Sequence, residues 1–352
     1  MAVTKPLRVG VVGCGTIAQS HHIPSLVKVR DAEVVAVCDT NQELARLVAK
    51  RFNINKHYGT LAEMLETKEV DMVDICTPPQ THLMLSLSAI ERGCHVLVEK
   101  PMTLSLKEAD EMVAASKANG VKLCVAHSML FYSPVMKAES MVREGRIGEV
   151  IGIDMRMSIP RDDDRLLDRE HWFHKLPGGV LAEMLPHPVS LAQAFLGSLE
   201  PTAVDVGKLG SYDWVVPDEL RVILKGKKGI ATIACSCNWV ERVIVFDTFG
   251  TAKDLVVDLR NNVLITRGRE TSSLRALSRN LGDGSQYLAG AVYRALQVIA
   301  GRLRIGHYIL IRRFIESIQN DTEPPVTVEQ CREVVRVCEK IVTQMSVNQR
   351  KD

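Results

Sequence analysis

A short apolar run, Leu7–Val12, leads directly into the sequence Gly13-Cys-Gly-Thr-Ile-Ala18, and no other part of the chain constrains the fold as strongly. The run has the length and β-branched content of a buried strand, and helical sequence follows the glycines. The first glycine permits a tight turn, the second lets the backbone approach a bound group, and the final alanine lets the helix pack near the strand. The junction predicts the first turn of a Rossmann fold, formed by Gly13, Gly15, Thr16, Ile17 and Ala18.

The first 127 residues alternate short β-branched runs with stretches of helical periodicity. This alternation is typical of βαβ units around a parallel sheet. Two glycines, Gly93 and Gly120, stand where helix C-caps belong. We predict strands at Leu7–Val12, Glu33–Cys38, Met72–Thr77, His95–Glu99 and Lys122–Ala126, and helices at Gln42–Phe52, Thr81–Arg92 and Leu106–Asn119.

The pattern changes after residue 127. One helix is followed by consecutive strand-like runs with short glycine-containing turns, which favours an open, largely antiparallel sheet. A chain of 352 residues is also too long for a single core. We predict an α/β protein with a doubly wound parallel Rossmann domain over 1–127 and an α+β domain over 128–352. The second domain is predicted to contain a helix at Val135–Glu144, strands at Val150–Ser158, Ala203–Leu209, Leu220–Lys225, Ile230–Ser236, Arg242–Phe249 and Lys253–Asp258, and helical sequence from about Gln286 onward.

Charge and cysteine content exclude several classes of partner. Lys and Arg number 44 against 42 Asp and Glu, and the net charge of +2 gives no field that would gather nucleic acid or an anionic membrane. The apolar stretch from Tyr287 to Ala300 is interrupted by Arg294 and is too short to span a bilayer. Nine cysteines and an N-terminus without an apolar signal core predict reduced thiols and a cytoplasmic protein. We expect no metal, including at Cys235 and Cys237.

Asp39 closes the second predicted strand, near the interval of ~20 residues at which a ribose-binding acid is expected in a dinucleotide site. A carboxylate there accepts hydrogen bonds from the adenosine ribose hydroxyls and repels a 2′-phosphate. The pyrophosphate would lie on the helix N-terminus, where free N–H groups and the helix dipole favour anions. These features predict NAD as the cofactor and disfavour NADP. Alternatively, Asp39 serves only as the N-cap of the helix that follows.

Two further turns follow predicted strands at the carboxyl edge of the sheet, where open α/β folds bind ligands. Thr77-Pro78-Pro-Gln-Thr-His82 follows one strand, and Glu99-Lys100-Pro follows the next. A lysine at a strand end suits a role in handling a proton, because partial burial beside a cationic ring lowers its pKa. Glu99 and Lys100 could instead belong to a solvated turn.

The order of G-x-G-x-I-A-x-x-H, T-P-P-x-x-H and E-K-P resembles the glucose–fructose oxidoreductase, inositol dehydrogenase and rhizopine-catabolism family, abbreviated Gfo/Idh/MocA, over nearly the whole chain. The resemblance implies that Lys100 is the catalytic lysine. It also implies that Thr77, Pro78 and His82 lie along the cofactor, and we predict that Glu99 and Lys100 contact it as well. A homodimer or homotetramer is expected, because an open antiparallel sheet has one face that needs cover.

A second signature of that family, G-G-x-x-x-D-x-G-x-H-x-x-D, matches the sequence from Gly178 with departures. Glu183 stands in place of Asp, Leu185 in place of Gly, and Ser190 in place of the final Asp. Glu183 and His187 keep the spacing that puts two side chains on one helix face, so the carboxylate can orient the imidazole. The resemblance implies that His187 is a general acid or base, although the longer Glu displaces the acid and catalysis is sensitive to shifts of ~1 Å. The prolines flanking His187 also fit a buried structural histidine.

Residues ahead of that signature are candidates for substrate contacts. Trp172 could stack on a sugar, and Arg161 or Lys175 could hold a carboxylate or phosphate, but each also fits a solvated loop or core packing. We interpret the chain as an NAD-dependent oxidoreductase that takes hydride from a carbinol carbon of a sugar, nucleotide sugar or cyclitol, while Lys100 or His187 removes the hydroxyl proton. The alternatives are a redox-neutral lyase or hydrolase of the same family and a non-catalytic dinucleotide-binding regulator. The helical tract 281–304 could cover the site or contact a partner.

Overall fold

The computed structural model describes residues 5–268, 273–299 and 306–348. Within these ranges the chain forms two compact units. The first comprises residues 5–128 and 306–336, and the second comprises the described part of 129–304 together with 337–348. The expected boundary between residues 127 and 128 stays a prediction, and no sequence pattern indicated that residues 306–336 join the first unit.

The first unit is built on a parallel sheet of six strands. Their order is third, second, first, fourth, fifth, sixth, so the order reverses between the first and fourth strands. Apolar side chains are buried on both faces of the sheet, as expected when helices cover both sides. The prediction of a doubly wound Rossmann sheet is confirmed. The strands are β1 (Leu7–Val12), β2 (Ala32–Cys38), β3 (Lys56–Tyr58), β4 (Met72–Ile75), β5 (His95–Val98) and β6 (Leu123–Val125).

Side-chain caps fix where several helices of this unit begin. The Asn41 side chain accepts a hydrogen bond from Leu44 N, and Thr60 and Glu63 form a reciprocal capping box. Helix formation after β1 starts with a single π-helical turn at Ala18–His22. The helices are α1 (Ile23–Leu26), α2 (Gln42–Phe52), α3 (Leu61–Glu66), α4 (His82–Glu91) and α5 (Leu106–Ala118).

The strands predicted from the sequence differ from the observed sheet of this unit by one missed strand and by several strand ends. β3 was not predicted, because its three residues, Lys56 to Tyr58, show no apolar alternation. The predicted strands ran on to Thr77 and Glu99, whereas β4 ends at Ile75 and β5 ends at Val98. The residues beyond each strand leave the ladder because they form the turns at the carboxyl edge.

The second unit contains a seven-stranded sheet of mixed direction. From one edge the order is β13-β12-β11-β7-β10-β9-β8 for the strands β7 (Val150–Ser158), β8 (Leu199–Gly207), β9 (Glu219–Gly226), β10 (Ile230–Ser236), β11 (Ile244–Gly250), β12 (Lys253–Asp258) and β13 (Val263–Gly268). Among the described strands of this sheet, the β7–β10 pair alone is parallel, which confirms the prediction of a largely antiparallel sheet. β13 was not predicted. The helices of the second unit up to residue 196 are α6 (Ser133–Arg143), α7 (Asp164–Leu167), α8 (Gly179–Met184) and α9 (Pro186–Leu196).

One face of this sheet is covered and the other carries exposed apolar side chains. α9 packs against β7, β8 and β10. On the strands themselves, Ile151, Ile223 and Ile230 are 43–54% exposed. Such a face is compatible with the predicted homo-oligomer, whose existence stays a prediction.

The described residues after β13 form three helices, α10 (Ser273–Ile299), α11 (Gly306–Gln319) and α12 (Val328–Asn348). α10 lies along the edge strand β13, where the Gln286 side chain accepts a hydrogen bond from Thr266 N at 3.0 Å. The predicted tract 281–304 is therefore helical as far as Ile299, and residues 300–304 lie outside the described ranges. α11 packs against α1 in the first unit.

No helix within the described ranges has the length and apolar content needed to cross a membrane.

Candidate active site

Three turns of the first unit lie side by side at the carboxyl edge of its sheet. They follow β1, β4 and β5, which are neighbours in the strand order. The first turn contains Gly13 to Ala18, the second begins at Thr77, and the third contains Glu99 to Pro101. β1 and β4 flank the point where the strand order reverses, which is where ligands bind in open α/β sheets. The structure thus brings together the cofactor-binding candidates of the sequence analysis.

Backbone geometry explains the glycines of the first turn. Gly13 has φ of +90°, and a Cβ atom there would lie 2.9 Å from the carbonyl carbon of Cys76 and from Thr77 N. At Gly15 a Cβ atom would meet nothing within 4 Å, and both Gly15 and Thr16 are exposed. Ala18 is fully buried against the sheet. Gly13 therefore lets the first turn contact the second, and Gly15 leaves space for a pyrophosphate.

Asp39 holds this glycine turn through its side chain. Its Oδ2 accepts a hydrogen bond from Cys14 N and its Oδ1 accepts one from Asn41 N, each at 2.8 Å. The cap of α2 is the side chain of Asn41, which accepts from Leu44 N at 3.1 Å. The alternative in which Asp39 serves only as an N-cap is therefore corrected. The carboxylate lies beside the turn, half-buried, as a ribose ligand of a dinucleotide would be placed.

His82 joins the second turn to the third. Its ring is buried, with Nδ1 2.8 Å from the carbonyl oxygen of Pro101 and Nε2 2.8 Å from that of Thr77. Both ring nitrogens are therefore within hydrogen-bond distance of backbone oxygens, and the buried ring links the second turn to the third. Thr77 is half-buried and Pro78 is exposed, and these two residues remain the candidates for direct cofactor contact in this turn.

Glu99 belongs to a buried cluster that the sequence analysis missed. Its Oε1 lies 2.8 Å from Nε2 of His22, while Nδ1 of His22 lies 2.9 Å from the Asp74 carboxylate. His307, from α11, places Nε2 3.6 Å from the same Glu99 oxygen. The other Glu99 oxygen, Oε2, accepts a hydrogen bond from Lys100 N at 3.0 Å. Glu99 is thus held by contacts to His22 and to the Lys100 backbone, and its predicted contact with the cofactor stays a prediction.

Opposite charges set the protonation of this cluster. Burial alone would lower the pKa of His22, but the charge and hydrogen bond of Asp74 raise it well above its ordinary value. Burial would raise the pKa of Glu99, but the hydrogen bond from His22 and the nearby ring of His307 hold it well below its ordinary value. His22 is therefore an imidazolium between two carboxylates.

One sequence signal could have revealed this cluster. Asp74 lies inside the otherwise apolar strand Met72–Ile75, and a buried carboxylate requires a partner. The partner, His22, is adjacent to the His21 that ended the quoted motif. No local pattern pointed to His307.

Lys100 is half-buried and follows β5 directly. Its peptide bond to Pro101 is cis. His127, at the end of β6, is buried near the charges of Glu99 and Lys100, and burial lowers its pKa to about 4. The third turn therefore carries Lys100, and buried histidines and carboxylates surround its backbone.

In the second unit, Glu183 and His187 lie on successive turns of a helix that two prolines interrupt. Glu183 belongs to α8 and His187 to α9, and Leu185 between them keeps right-handed helical angles. Pro186 and Pro188 have no N–H to donate, which divides the single helix expected from the sequence into two. Both Glu183 and His187 are half-buried, so His187 is not the fully buried structural histidine of the alternative hypothesis.

The substrate-contact candidates of the second unit lie in separate local settings. Lys175 is exposed and pairs with Glu170 at 2.9 Å. Arg161 is exposed and donates its backbone N–H to Trp239 O. Trp172 is half-buried, with its ring 5.5 Å from that of His171. Their roles stay predictions.

A parallel sheet with a glycine turn and an acidic side chain at its reversal point defines a dinucleotide-binding protein of the Rossmann class. Two family models match the chain: residues 7–127 match "Oxidoreductase family, NAD-binding Rossmann fold", and residues 135–256 match "GFO/IDH/MocA C-terminal domain". The chain belongs to the Gfo/Idh/MocA family of oxidoreductases. The resemblance found in the sequence is confirmed, as is the prediction of an oxidoreductase.

Relatives of known name are similar over different lengths. Myo-inositol 2-dehydrogenase of Thermotoga maritima is 26% identical over 340 residues, which cover 92% of this chain and 91% of that protein. D-apiose dehydrogenase of Paraburkholderia graminis is 31% identical over 238 residues, or 68% of this chain and 62% of that protein. An oxidoreductase of Formosa agariphila is 28% identical over 195 residues, and the match covers 54% of this chain and spans 61% of that protein's length.

Solved structures share the fold. WlbA dehydrogenase from Bordetella pertussis, in complex with NADH and UDP-GlcNAcA, aligns with a TM-score of 0.79 at 19% identity, covering 99% of this chain and 96% of that chain. A variant of KijD10, a 3-ketoreductase from Actinomadura kijaniata, in complex with TDP-benzene and NADP, aligns with a TM-score of 0.76 at 20% identity. The alignment covers 96% of this chain and 98% of that chain. At these identities the likeness concerns the fold alone.

The two glycines of the first turn should respond differently to alanine. Gly13→Ala should lower the free energy of unfolding by about 1–3 kcal/mol, because it combines a positive φ with a clash against the backbone of Thr77. Gly15→Ala should change it by less than about 0.5 kcal/mol, because its Cβ meets no atom, while weakening NADH binding. Urea unfolding and NADH fluorescence titration measure both effects. Equal stability of the two variants would contradict this account of the turn.

His127 should make the fold sensitive to acid. Its pKa of about 4 in the folded state lies below the ordinary 6.5, so between these values the unfolded chain binds a proton that the folded chain does not. Stability should therefore fall as the pH drops through this window, and the pKa difference corresponds to about 3 kcal/mol. His127→Gln should flatten the dependence of the unfolding free energy between pH 7 and pH 4.5, which urea titrations measure. The exposed His57→Gln is the control, and parallel profiles for all three proteins would refute the assignment.

Proposed function

We propose that this chain catalyses hydride transfer between NAD and a carbinol carbon of a sugar, nucleotide sugar or cyclitol. The observation that carries the proposal is the turn at Lys100. This turn follows β5 and neighbours the second turn, which follows β4, and its backbone is held by contacts with Glu99 and His82. A half-buried lysine held on such a turn can accept the proton that leaves a hydroxyl group as hydride is removed.

The proposal assigns a role to residues of each unit. When bound, the dinucleotide supplies the hydride acceptor. Lys100 removes the hydroxyl proton, and His187 serves as the second acid or base, with Glu183 to orient it. Thr77 and Pro78 line the cofactor, and Trp172, Arg161 and Lys175 are the proposed substrate contacts. Lys175 would exchange its exposed pairing with Glu170 for an anionic group of the substrate, a small energetic change because exposed ion pairs are weak.

The names of relatives support this substrate class. Myo-inositol, D-apiose and a UDP-linked sugar acid appear in the names of the proteins compared above, and each offers secondary hydroxyl groups on a ring or short carbon chain. NAD is proposed over NADP because the Asp39 carboxylate would repel a 2′-phosphate at the position where it accepts ribose hydroxyls. A cytoplasmic location is proposed because all nine cysteines are free thiols.

A spectroscopic panel tests the reaction. The purified protein, supplied with NAD, is mixed with inositols, free sugars, sugar acids and nucleotide sugars while the near-ultraviolet absorbance of NADH is recorded. A rise with one compound establishes a dehydrogenase and its substrate class. Absorbance that stays flat while a sugar is cleaved or dehydrated would instead favour a redox-neutral enzyme, and binding of dinucleotide with no conversion of any kind would favour a regulator.

On the substrate so found, Lys100→Ala should reduce kcat by about 10²–10⁴, the usual contribution of a general base, with NADH binding nearly unchanged. The matched control is Lys107→Ala, at an exposed position in the first turn of α5, which should leave kcat as it is. Initial rates and fluorescence titration measure the two quantities. Turnover that survives in Lys100→Ala would rule out its catalytic role.

Cofactor preference is tested at Asp39. Asp39→Asn keeps a side-chain oxygen for Cys14 N but removes the charge, so NADH should bind about tenfold more weakly, as for the loss of a charge-assisted hydrogen bond. NADPH should gain relative to NADH, because the repulsion of its 2′-phosphate is lost. Parallel titrations with both cofactors give the ratio of dissociation constants. If the substitution leaves that ratio unchanged, Asp39 does not bind the ribose hydroxyls or discriminate between the two cofactors.

A further inference from the structure

Four ionisable side chains meet beneath the turn that carries Lys100. They come from four separate elements: Asp74 from β4, His22 from the π-helical turn, Glu99 from the end of β5 and His307 from α11. All four are less than 9% exposed. Because these four side chains are shielded from solvent, they can affect the reaction only through the residues that they contact.

His22 uses both ring nitrogens within this group. Nδ1 lies 2.9 and 3.0 Å from the two carboxylate oxygens of Asp74, and Nε2 lies 2.8 Å from Glu99 Oε1. A ring that donates from both nitrogens is an imidazolium, so one positive charge lies between two negative ones. Removing the ring would leave two carboxylates buried without their shared partner, a situation that proteins do not tolerate in place.

Glu99 passes this constraint to the turn. One of its oxygens is held by His22 and the other accepts the backbone N–H of Lys100 at 3.0 Å. The backbone of Lys100 fixes the direction in which its side chain leaves the turn. The chain of contacts from Asp74 to His22, Glu99 and the Lys100 backbone is therefore continuous.

We propose that His22 is a positioning residue for Lys100, acting through Glu99. His307 is the second contact: its Nε2 lies 3.6 Å from Glu99 Oε1 and its ring centre lies 5.3 Å from that of His22, which ties the C-terminal segment to the same carboxylate. This inference rests on the proposed role of Lys100 and extends it to residues that lie beneath the turn. Loss of His22 shifts the lysine and leaves the glycine turn and Asp39 intact.

The same donor atoms could be read as a metal site, because those of His22, Glu99 and His307 lie within 4.8 Å of one another. Both nitrogens of His22 already point at carboxylate oxygens at hydrogen-bond distance. A metal would have to displace the Asp74 contact or the Glu99 contact. We therefore assign the group to positioning.

Kinetics of three variants test the proposal. His22→Gln should lower kcat on the substrate of the panel by at least about tenfold, because a misplaced base loses rate steeply, while the Kd of NADH changes by less than about threefold. His22→Gln combined with Asp74→Asn should recover most of kcat, since two amides can again link β4 to Glu99 without a charge. His95→Gln is the matched control, because His95 begins β5 at its opposite end, where its Nδ1 accepts a hydrogen bond from Lys122 N at 3.0 Å. It should behave as the parent.

A second measurement needs no substrate. Reductive methylation with ¹³C-formaldehyde labels the lysines, and the Lys100 signal is assigned by its loss in Lys100→Arg. In NADH-bound protein, His22→Gln should move this signal, the double variant should return it towards its original position, and His95→Gln should leave it in place. This separates the two proposals, because turnover retained in Lys100→Ala defeats the proposed function while the signal still reports on position.

Two outcomes would overturn the proposal. One is a folded His22→Gln protein whose Lys100 signal and kcat match those of the parent. The other is a double variant that regains the thermal midpoint of the parent without regaining kcat, which would show that His22 contributes its charge and not the geometry of the turn.

Discussion

The first unit depends on the pairing of two buried carboxylates with one imidazolium. An ionised carboxylate out of contact with water costs several kcal/mol unless it is paired and hydrogen-bonded. Asp74 and Glu99 both meet this requirement at His22, at 2.9 and 2.8 Å. β4, the end of β5 and the turn after β1 must therefore meet at one point with the accuracy of a hydrogen bond. The sheet order places them within reach, and the charges determine how closely they meet.

This pairing specifies geometry more than it adds stability. Replacing a buried ion pair by apolar groups of similar volume is often neutral or stabilising, so the net free energy alone does not account for it. The charges instead fix the orientation of the Glu99 carboxylate, because one of its oxygens then accepts the hydrogen bond from the Lys100 backbone. The glycine turn and the second turn are tied in by other means: a missing Cβ at Gly13 lets them touch, and His82 spans the carbonyls of Thr77 and Pro101. Three turns are thereby fixed to one another before any ligand arrives.

The sequence predicted the parts of this arrangement that are local. β1, β7, β10 and β12 have their predicted bounds because apolar runs and turn residues lie within a few positions of each other. The glycine turn, Asp39 and the E-K-P turn were found for the same reason. The buried cluster was missed because its contacts join residues 52 and 77 positions apart, and His307 comes from a segment that returns to the first unit. The contacts of His82 with the carbonyl oxygens of Thr77 and Pro101 were likewise not predicted, because a motif gives the position of a side chain and not the atoms that its ring nitrogens meet.

The second signature shows how departures from a family pattern can be mutually consistent. Leu185 occupies the position of a glycine, and its right-handed helical angles require no glycine. Ser190 replaces a carboxylate, and its buried hydroxyl donates to the carbonyl oxygen of His187 at 2.9 Å, which an ionised aspartate cannot do. Pro186 and Pro188 remove two donors from the same helical turn. The backbone around His187 is thus built differently from the family pattern, while the cofactor turns of the first unit keep it. Under the proposed function, changes of substrate would be accommodated in the second unit, because α8 and α9, which carry Glu183 and His187, can be rebuilt without disturbing the buried charges beside Lys100.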